Sequence, residues 1–253
     1  MIFIKSNKIK FIFKFIVSAA LLVLIFQFIG FNRVYNEILN TNPYYIFLSV
    51  LITLFSIYFI SVRWKNIITI FNVSINLRQS LHYTFISQAF GIVSPGRIGE
   101  FVKVKYLANE AGISYLKSFI TVIIDKIFDL MALVLLTLTG LYLLNEKIAW
   151  RNFLIALFIF YILILIIGFI YFDKLLKLVT YILPKKYKNS VKFNITRTLY
   201  AQSILLSLFV WFIHSLQALF ILKSLGILAT PLSVIMVIIP LMSVSSMLPI
   251  SIG

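Results

Sequence analysis

Residues 153–172 read FLIALFIFYILILIIGFIYF, twenty consecutive positions without a charge. A helix of that length rises about 30 Å, the thickness of a bilayer's hydrocarbon core. Barrel strands would alternate apolar and polar residues over about ten positions, and this run does not alternate. Only helices and closed barrels satisfy their backbone groups within lipid, so the run predicts a spanning α-helix.

Similar runs extend in both directions along the chain. Hydrophobic residues make up 62% of 253 positions and charged residues 12%, with a mean hydropathy of +1.06. Soluble domains carry roughly a quarter charged residues, so this chain could not cover its own surface with polar groups. The reading is one all-α, polytopic, integral membrane domain over residues 1–253 with no soluble domain. The formal charge of +16 does not point to nucleic acid, because its basic residues lie between apolar spans instead of on one face. There is no cysteine, which excludes disulfides and thiolate metal sites.

Spans are expected at about 11–30, 44–62, 118–144, 153–172 and 199–222. The first is too long for a signal-peptide core and is read as a helix. Leu81 to Val93 is apolar but too short to cross, and it ends in Ser94-Pro95-Gly96, as a re-entrant segment would. A last run, Pro231 to Leu248, is interrupted by Pro240 and closed by Pro249. Four basic residues up to Lys14, seven in 63–117 and seven in 173–198 make 18 of the 23. All three clusters fall in the cytoplasm when the N-terminus is cytoplasmic and 81–93 does not cross. Lys185, Lys186 and Lys188 would rest on anionic headgroups, and 31–43 would be an outer loop.

That count predicts two inverted repeats, about 11–144 and 153–253, each with a Pro/Gly-broken re-entrant segment. Such pairs place substrate sites near the bilayer midplane. The second repeat is expected to be incomplete, lacking its closing span.

Two constellations carry chemistry. In Ser94-Pro95-Gly96-Arg97-Ile98-Gly99-Glu100-Phe101-Val102-Lys103, proline ends a segment and the glycines permit turns. Arg97 and Glu100 can pair there, and a helix end beside Arg and Lys can cradle a lipid phosphate. The competing reading is a solvated cytoplasmic turn. In span 118–144, Asp125 and Asp129 share a helix face, and Lys126 can pair with Asp129. Ionisable groups at such depth face a cavity or a partner, Arg97 across the bundle being one choice. The competing reading is an interfacial pair or a lock between helices. His214, with Trp211, Ser215 and Gln217, gives another span a polar flank, and is read as a packing or hydrogen-bonding residue and not a ligand. No metal cluster, Walker loop, nucleophile elbow or Rossmann fingerprint occurs, and outer loop 31–43 has only Glu37 as an acid.

With these residues the chain resembles the membrane domain of lysylphosphatidylglycerol synthases and the flippase-like proteins grouped with it. Members carry Pro-Gly-Arg-x-Gly-Glu with a basic residue three later, here Pro95 to Glu100 and Lys103. Their next span has Glu-Arg-x-x-Asp, here Asp125, Lys126 and Asp129, with lysine losing the bidentate fork. A later Pro-x-Ser-x-Gly matches Pro249, Ser251 and Gly253, where the motif is cut at its first glycine. The soluble aminoacyl-transfer domain has no counterpart, so the resemblance implies lipid handling and not lysine transfer.

The combined expectation is a cofactor-free, metal-free, non-enzymatic, multi-pass protein of the cytoplasmic membrane. It would translocate or bind a phospholipid or polyprenyl-phosphate lipid. Arg97, Lys103 and Lys126 would meet phosphate, while Glu100, Asp125 and Asp129 hold or gate those cations. Ser94, Pro95, Gly96, Gly99, Pro249, Ser251 and Gly253 would shape the broken segments. Its partners would be membrane lipids, and the alternative is a membrane subunit presenting lipid-linked substrate to a separate transferase.

Overall fold

The computed structural model describes residues 30–144, 151–182 and 196–246, together with Val23, Gln27 and Phe28. Most of the first expected span, the lysines 185, 186 and 188, and Pro249, Ser251 and Gly253 therefore lie outside the described residues. Every regular element among the described residues is helical. They are α1 (Phe31–Asn40), α2 (Pro43–Ile68), α3 (Leu77–Ile92), α4 (Val102–Ala111), α5 (Tyr115–Leu144), α6 (Arg151–Ile182), α7 (Arg197–Ser224) and α8 (Leu232–Ser246). Among the described residues three stretches are long and apolar enough to cross a membrane, Pro43–Phe71, Asn152–Tyr171 and Arg197–Ser224.

Local chemistry sets the boundaries. Asn42 caps α2 by accepting from the Tyr44 amide at 3.0 Å, and Pro43 supplies the preset first turn. Asn76 and Gln79 form a reciprocal capping box at the start of α3. Thr196 caps α7 through the Leu199 amide. α2 outruns the expected 44–62 because Arg63 is buried and the helix continues six residues past Val62. Residues 31–43, expected as a loop, hold α1. Pro240 lies inside α8 without ending it.

The exterior, unlike that of a soluble protein, is largely apolar. Ile46, Phe47, Val50, Leu54, Phe55 and Tyr58 of α2 are exposed, as are Phe160 and Ile167 of α6. Small hydroxyls join apolar side chains in the helix seams, with Ser56, Ser61, Ser80, Ser118, Ser203, Ser207 and Ser215 at most 1% exposed. Several bond a carbonyl one turn back, as Ser61 does to Ile57 at 2.7 Å. Small residues let helices approach where lipid gives no hydrophobic drive for association.

α2 and α7 form an antiparallel pair whose register is fixed at five levels. The Asn42 amide donates to the Ser224 carbonyl at 2.9 Å, and Tyr45 stacks on Phe220. Gln217 donates to Thr53 at 2.7 Å, Phe59 meets Phe209 edge-on, and Arg63 reaches Ser207. α5 begins at the α7-start end of this pair, where Ile120, Ile124 and Phe128 pack with Ile67, Phe71, Leu199 and Tyr200. α6 lies against α5 and α7, with Tyr161 donating to Met131 and Tyr200 to Leu165. α8 starts beside Gly140, near the far end of α5, and runs back toward Leu133 and Trp211.

α3 and α4 make a helical hairpin. Ser87 donates to the Glu100 carbonyl, Tyr83 to Glu110, and Leu107 packs on Trp64, Ile75 and Tyr83. Residues 76 and 112 therefore lie at the hairpin's open end, with 94–97 at its tip. A β-carbon on Gly99 would collide with the backbone carbonyl of Phe90. Gly99→Ala must push the two arms apart, at a cost of about 1–3 kcal/mol for overpacking. A lower thermal midpoint of purified G99A checks this, and an unchanged midpoint contradicts the tight crossing.

Candidate functional site

The hairpin tip is built by backbone chemistry. Gly96 (φ 60°) and Arg97 (φ 54°) are consecutive left-handed residues that reverse the chain. Arginine rarely adopts that conformation, and such strain persists where its surroundings fix it. Arg97 Nη2 donates to Gln88 Oε1 at 2.8 Å, and Nε lies 2.5 Å from Glu100 Oε1. Ser94 Oγ accepts from the Gly99 amide at 2.7 Å and donates to the Gly91 carbonyl at 3.2 Å. Gly91 leaves room for Glu100, whose Cγ would be 2.6 Å from an added β-carbon.

Behind the tip lies a buried ionic network centred on Arg63, which is 0% exposed. Its Nε donates to Asp125 Oδ1 at 2.8 Å, and its Nη1 to Asp129 Oδ1 at 2.6 Å and Ser207 Oγ at 2.5 Å. Lys103 donates to Asp125 Oδ2 at 2.8 Å and lies over the Trp64 ring, 4.8 Å from its centroid. Trp211 Nε1 donates to Asp129 Oδ1 at 3.1 Å. Lys126 pairs with Glu100 Oε2, so Glu100 serves both Arg97 and Lys126.

The charges do not balance. Arg63, Arg97, Lys103 and Lys126 supply four positive charges, and Glu100, Asp125 and Asp129 three negative ones. Among the described residues one positive charge is left over in a low-dielectric interior, where it is costly unless an anion joins it. The excess is not spread evenly. Arg63 and Lys103 are sealed on the aspartates, with side chains at most 3% exposed, whereas Arg97 and Lys126 are 23% and 22% exposed.

Those two cations face a cavity of about 470 Å³, a volume typical of small-ligand sites. Arg97 and Gln88 come from the hairpin, and Lys126 and Asp129 from α5. His214 and Gln217 of α7 add polar groups, His214 Nδ1 lying 3.1 Å from Gln217 Oε1. Apolar walls come from Ile57, Ile60, Ile92, Val210, Ile221 and Ile239. The end of α8 contributes Ser243 and Ser246. Among the described residues, Arg97 Nη1 has no acceptor and Lys126 has Glu100 alone, so donors remain for a ligand.

The expected site residues therefore separate into two layers. Arg97, Lys126 and Asp129 line the cavity, while Glu100, Lys103 and Asp125 lie in the network behind it. Arg97 pairs with Glu100 as its spacing predicts. Lys126 pairs with Glu100 rather than Asp129, and the aspartates meet Arg63, not Arg97, across the bundle. The charge count along the sequence places Arg63 among the cytoplasmic cations, and the structure buries it instead. A signal for it exists: two carboxylates on one face of α5 need a cation from another helix, and Arg63 closes an apolar span. Gly91 and Gln88 carry no such signal. Among the described residues no cluster of His, Cys, Asp and Glu could hold a metal ion.

Comparison with known proteins covers nearly the whole chain. The family described as "Lysylphosphatidylglycerol synthase TM region" matches residues 11–253. A UPF0104 membrane protein of Methanocaldococcus jannaschii is 25% identical over 148 residues, 57% of this chain and 44% of that protein. A UPF0104 membrane protein of Pyrococcus horikoshii is 28% identical over 135 residues, 51% of this chain and 40% of that protein. The matched segments thus span less than half the length of either relative. No solved structure matches the chain. With its helical bundle, its apolar exterior and this match across residues 11–253, the chain is a membrane protein that belongs to the lysylphosphatidylglycerol synthase transmembrane-region family.

Proposed function

We propose that the chain binds an amphiphilic lipid by its phosphate in the cavity and moves it across the cytoplasmic membrane, without catalysing a reaction. The observation that carries this reading is the surplus positive charge, delivered to an apolar-walled cavity by Arg97 and Lys126. A phosphate supplies the missing negative charge, and charge-assisted bonds to it are strong because the site is partly dry. The apolar walls suit the lipid's glycerol and upper acyl segments. The hairpin and α8 reach the cavity from opposite ends of the bundle, which supports re-entry of both from opposite faces.

Each cavity cation is worth about 1.5–3 kcal/mol toward a bound phosphate, or roughly 10- to 150-fold in affinity. Purified protein should gain thermal stability on titration with phosphatidylglycerol and not with phosphatidylcholine. Arg97→Gln and Lys126→Gln should each abolish most of that gain and slow the movement of headgroup-labelled phosphatidylglycerol in proteoliposomes. Unchanged binding and transfer in both variants would falsify the assignment. Co-purification of a transferase with an unreactive transporter assay would favour the presenting-subunit reading instead.

Orientation is tested separately. The proposal places the N-terminus and the open end of the hairpin in the cytoplasm. Single cysteines at Asn76 and Asn109 should label from that side and one at Leu228 from the other. Labelling of Asn76 and Asn109 from opposite faces would sink the re-entrant arrangement.

A further inference from the structure

We infer that α1 is a membrane-surface helix, lying flat in the lipid headgroup region at the face opposite the hairpin's open end. Its apolar residues Phe31, Val34, Tyr35, Ile38 and Leu39 recur at the spacing of one helical stripe. Asn32, Arg33, Asn36, Glu37 and Asn40 occupy the rest of the circumference. The division is complete, yet no residue of α1 is buried. Phe31, Tyr35, Ile38 and Leu39 are 65%, 53%, 66% and 64% exposed and Val34 is half-buried, so the protein leaves most of the stripe open. An uncovered stripe of this kind would be costly in water.

The fold says what covers it. α1 is followed after two residues by Pro43, where a spanning helix begins. The Asn42 amide is bonded to Ser224, the last residue of another spanning helix, so α1 hangs at the level where two spans end. Tyr44 and Tyr45 stand at that level, as aromatic side chains do at a membrane–water boundary. Leu225, Ile227 and Leu228, in the turn after Ser224, expose further apolar surface there. Low overall hydrophobicity with sharply separated faces is the signature of a helix that lies on a bilayer instead of crossing it. The occupant of the stripe is therefore the acyl–headgroup boundary of that leaflet, with Arg33 and Glu37 in water.

The chain has no cysteine, so each position from 31 to 40 can carry a single nitroxide label. The test measures relaxation of each label by oxygen and by a water-soluble nickel chelate, in vesicles of phosphatidylcholine with phosphatidylglycerol. Labels at 31, 34, 35, 38 and 39 should favour oxygen severalfold, and those at 33, 36, 37 and 40 should favour nickel. A ratio that does not oscillate with the helical period overturns the inference. So does low access to both reagents along the stripe with dipolar broadening that disappears on dilution with unlabelled protein, which would put a second copy there.

Discussion

Replacing Arg63 with Met lowers stability by about 3–5 kcal/mol, the cost of breaking a buried ion pair from one side. Arg63 is 0% exposed and bridges two carboxylates from α5 to Ser207 of α7. Among the described residues, removing it leaves Asp125 bonded to Lys103 and Asp129 bonded to Trp211, with no other hydrogen-bond donor on either. The methionine fills the volume, so the loss measures the abandoned charge and not a cavity. Asp129→Asn in the same chain should recover much of it. The side-chain amide that this substitution puts in place of the carboxylate can still accept from Trp211, and Asp125 keeps Lys103. Thermal or denaturant unfolding of the two single variants and the double variant gives the coupling directly. Additive losses would show that Arg63 and Asp129 stabilise the bundle independently, contrary to the geometry. Arg33→Met, on the exposed helix α1, serves as the control and should leave the midpoint in place.

Arg63 also shows where the sequence stops being legible. Hydropathy depends on composition over about twenty residues, so every described span can be located from the sequence. Its ends cannot, because an ionisable residue ends an apolar run whether it enters water or a partner's carboxylate. Arg63 and Lys126 look alike in one dimension. Only the other helices decide that one is sealed by two aspartates and the other faces a cavity. The hairpin tip is legible because Pro95, Gly96 and Gly99 act on their own backbone. The Arg97–Glu100 pair is legible because its geometry is local. The pairing of Lys126 with Glu100 spans two elements, and the local alternative, Asp129, is the weaker choice. α1 is hidden for a different reason: half its residues are polar, so averaging conceals it, and only the 3.6-residue period reveals it.

Neutralising Glu100 should produce opposite changes in binding and movement. Glu100 is 1% exposed and is the carboxylate that both cavity cations share. From behind the cavity its carboxylate neutralises the two cations whose free donors a ligand's phosphate would engage. Glu100→Gln removes that charge and raises the network's surplus from one positive charge to two. Without lipid, the variant should be less stable than the parent. With phosphatidylglycerol, it should bind about tenfold tighter, because Arg97 and Lys126 no longer share their charge with Glu100, a difference of roughly 1.5 kcal/mol. Transfer across the bilayer should nonetheless slow, since release needs a carboxylate to neutralise the cations, and tighter binding of the resting complex does not lower the barrier to exchange. Titration calorimetry and proteoliposome transfer on the same preparation read the two effects. Adding Lys126→Gln returns the surplus to one and should restore the stability of the lipid-free protein. If E100Q binds phosphatidylglycerol more weakly than the parent, Glu100 supports the ligand site instead of competing for it. The cations would then be held apart from phosphate, and the charge surplus would need another explanation.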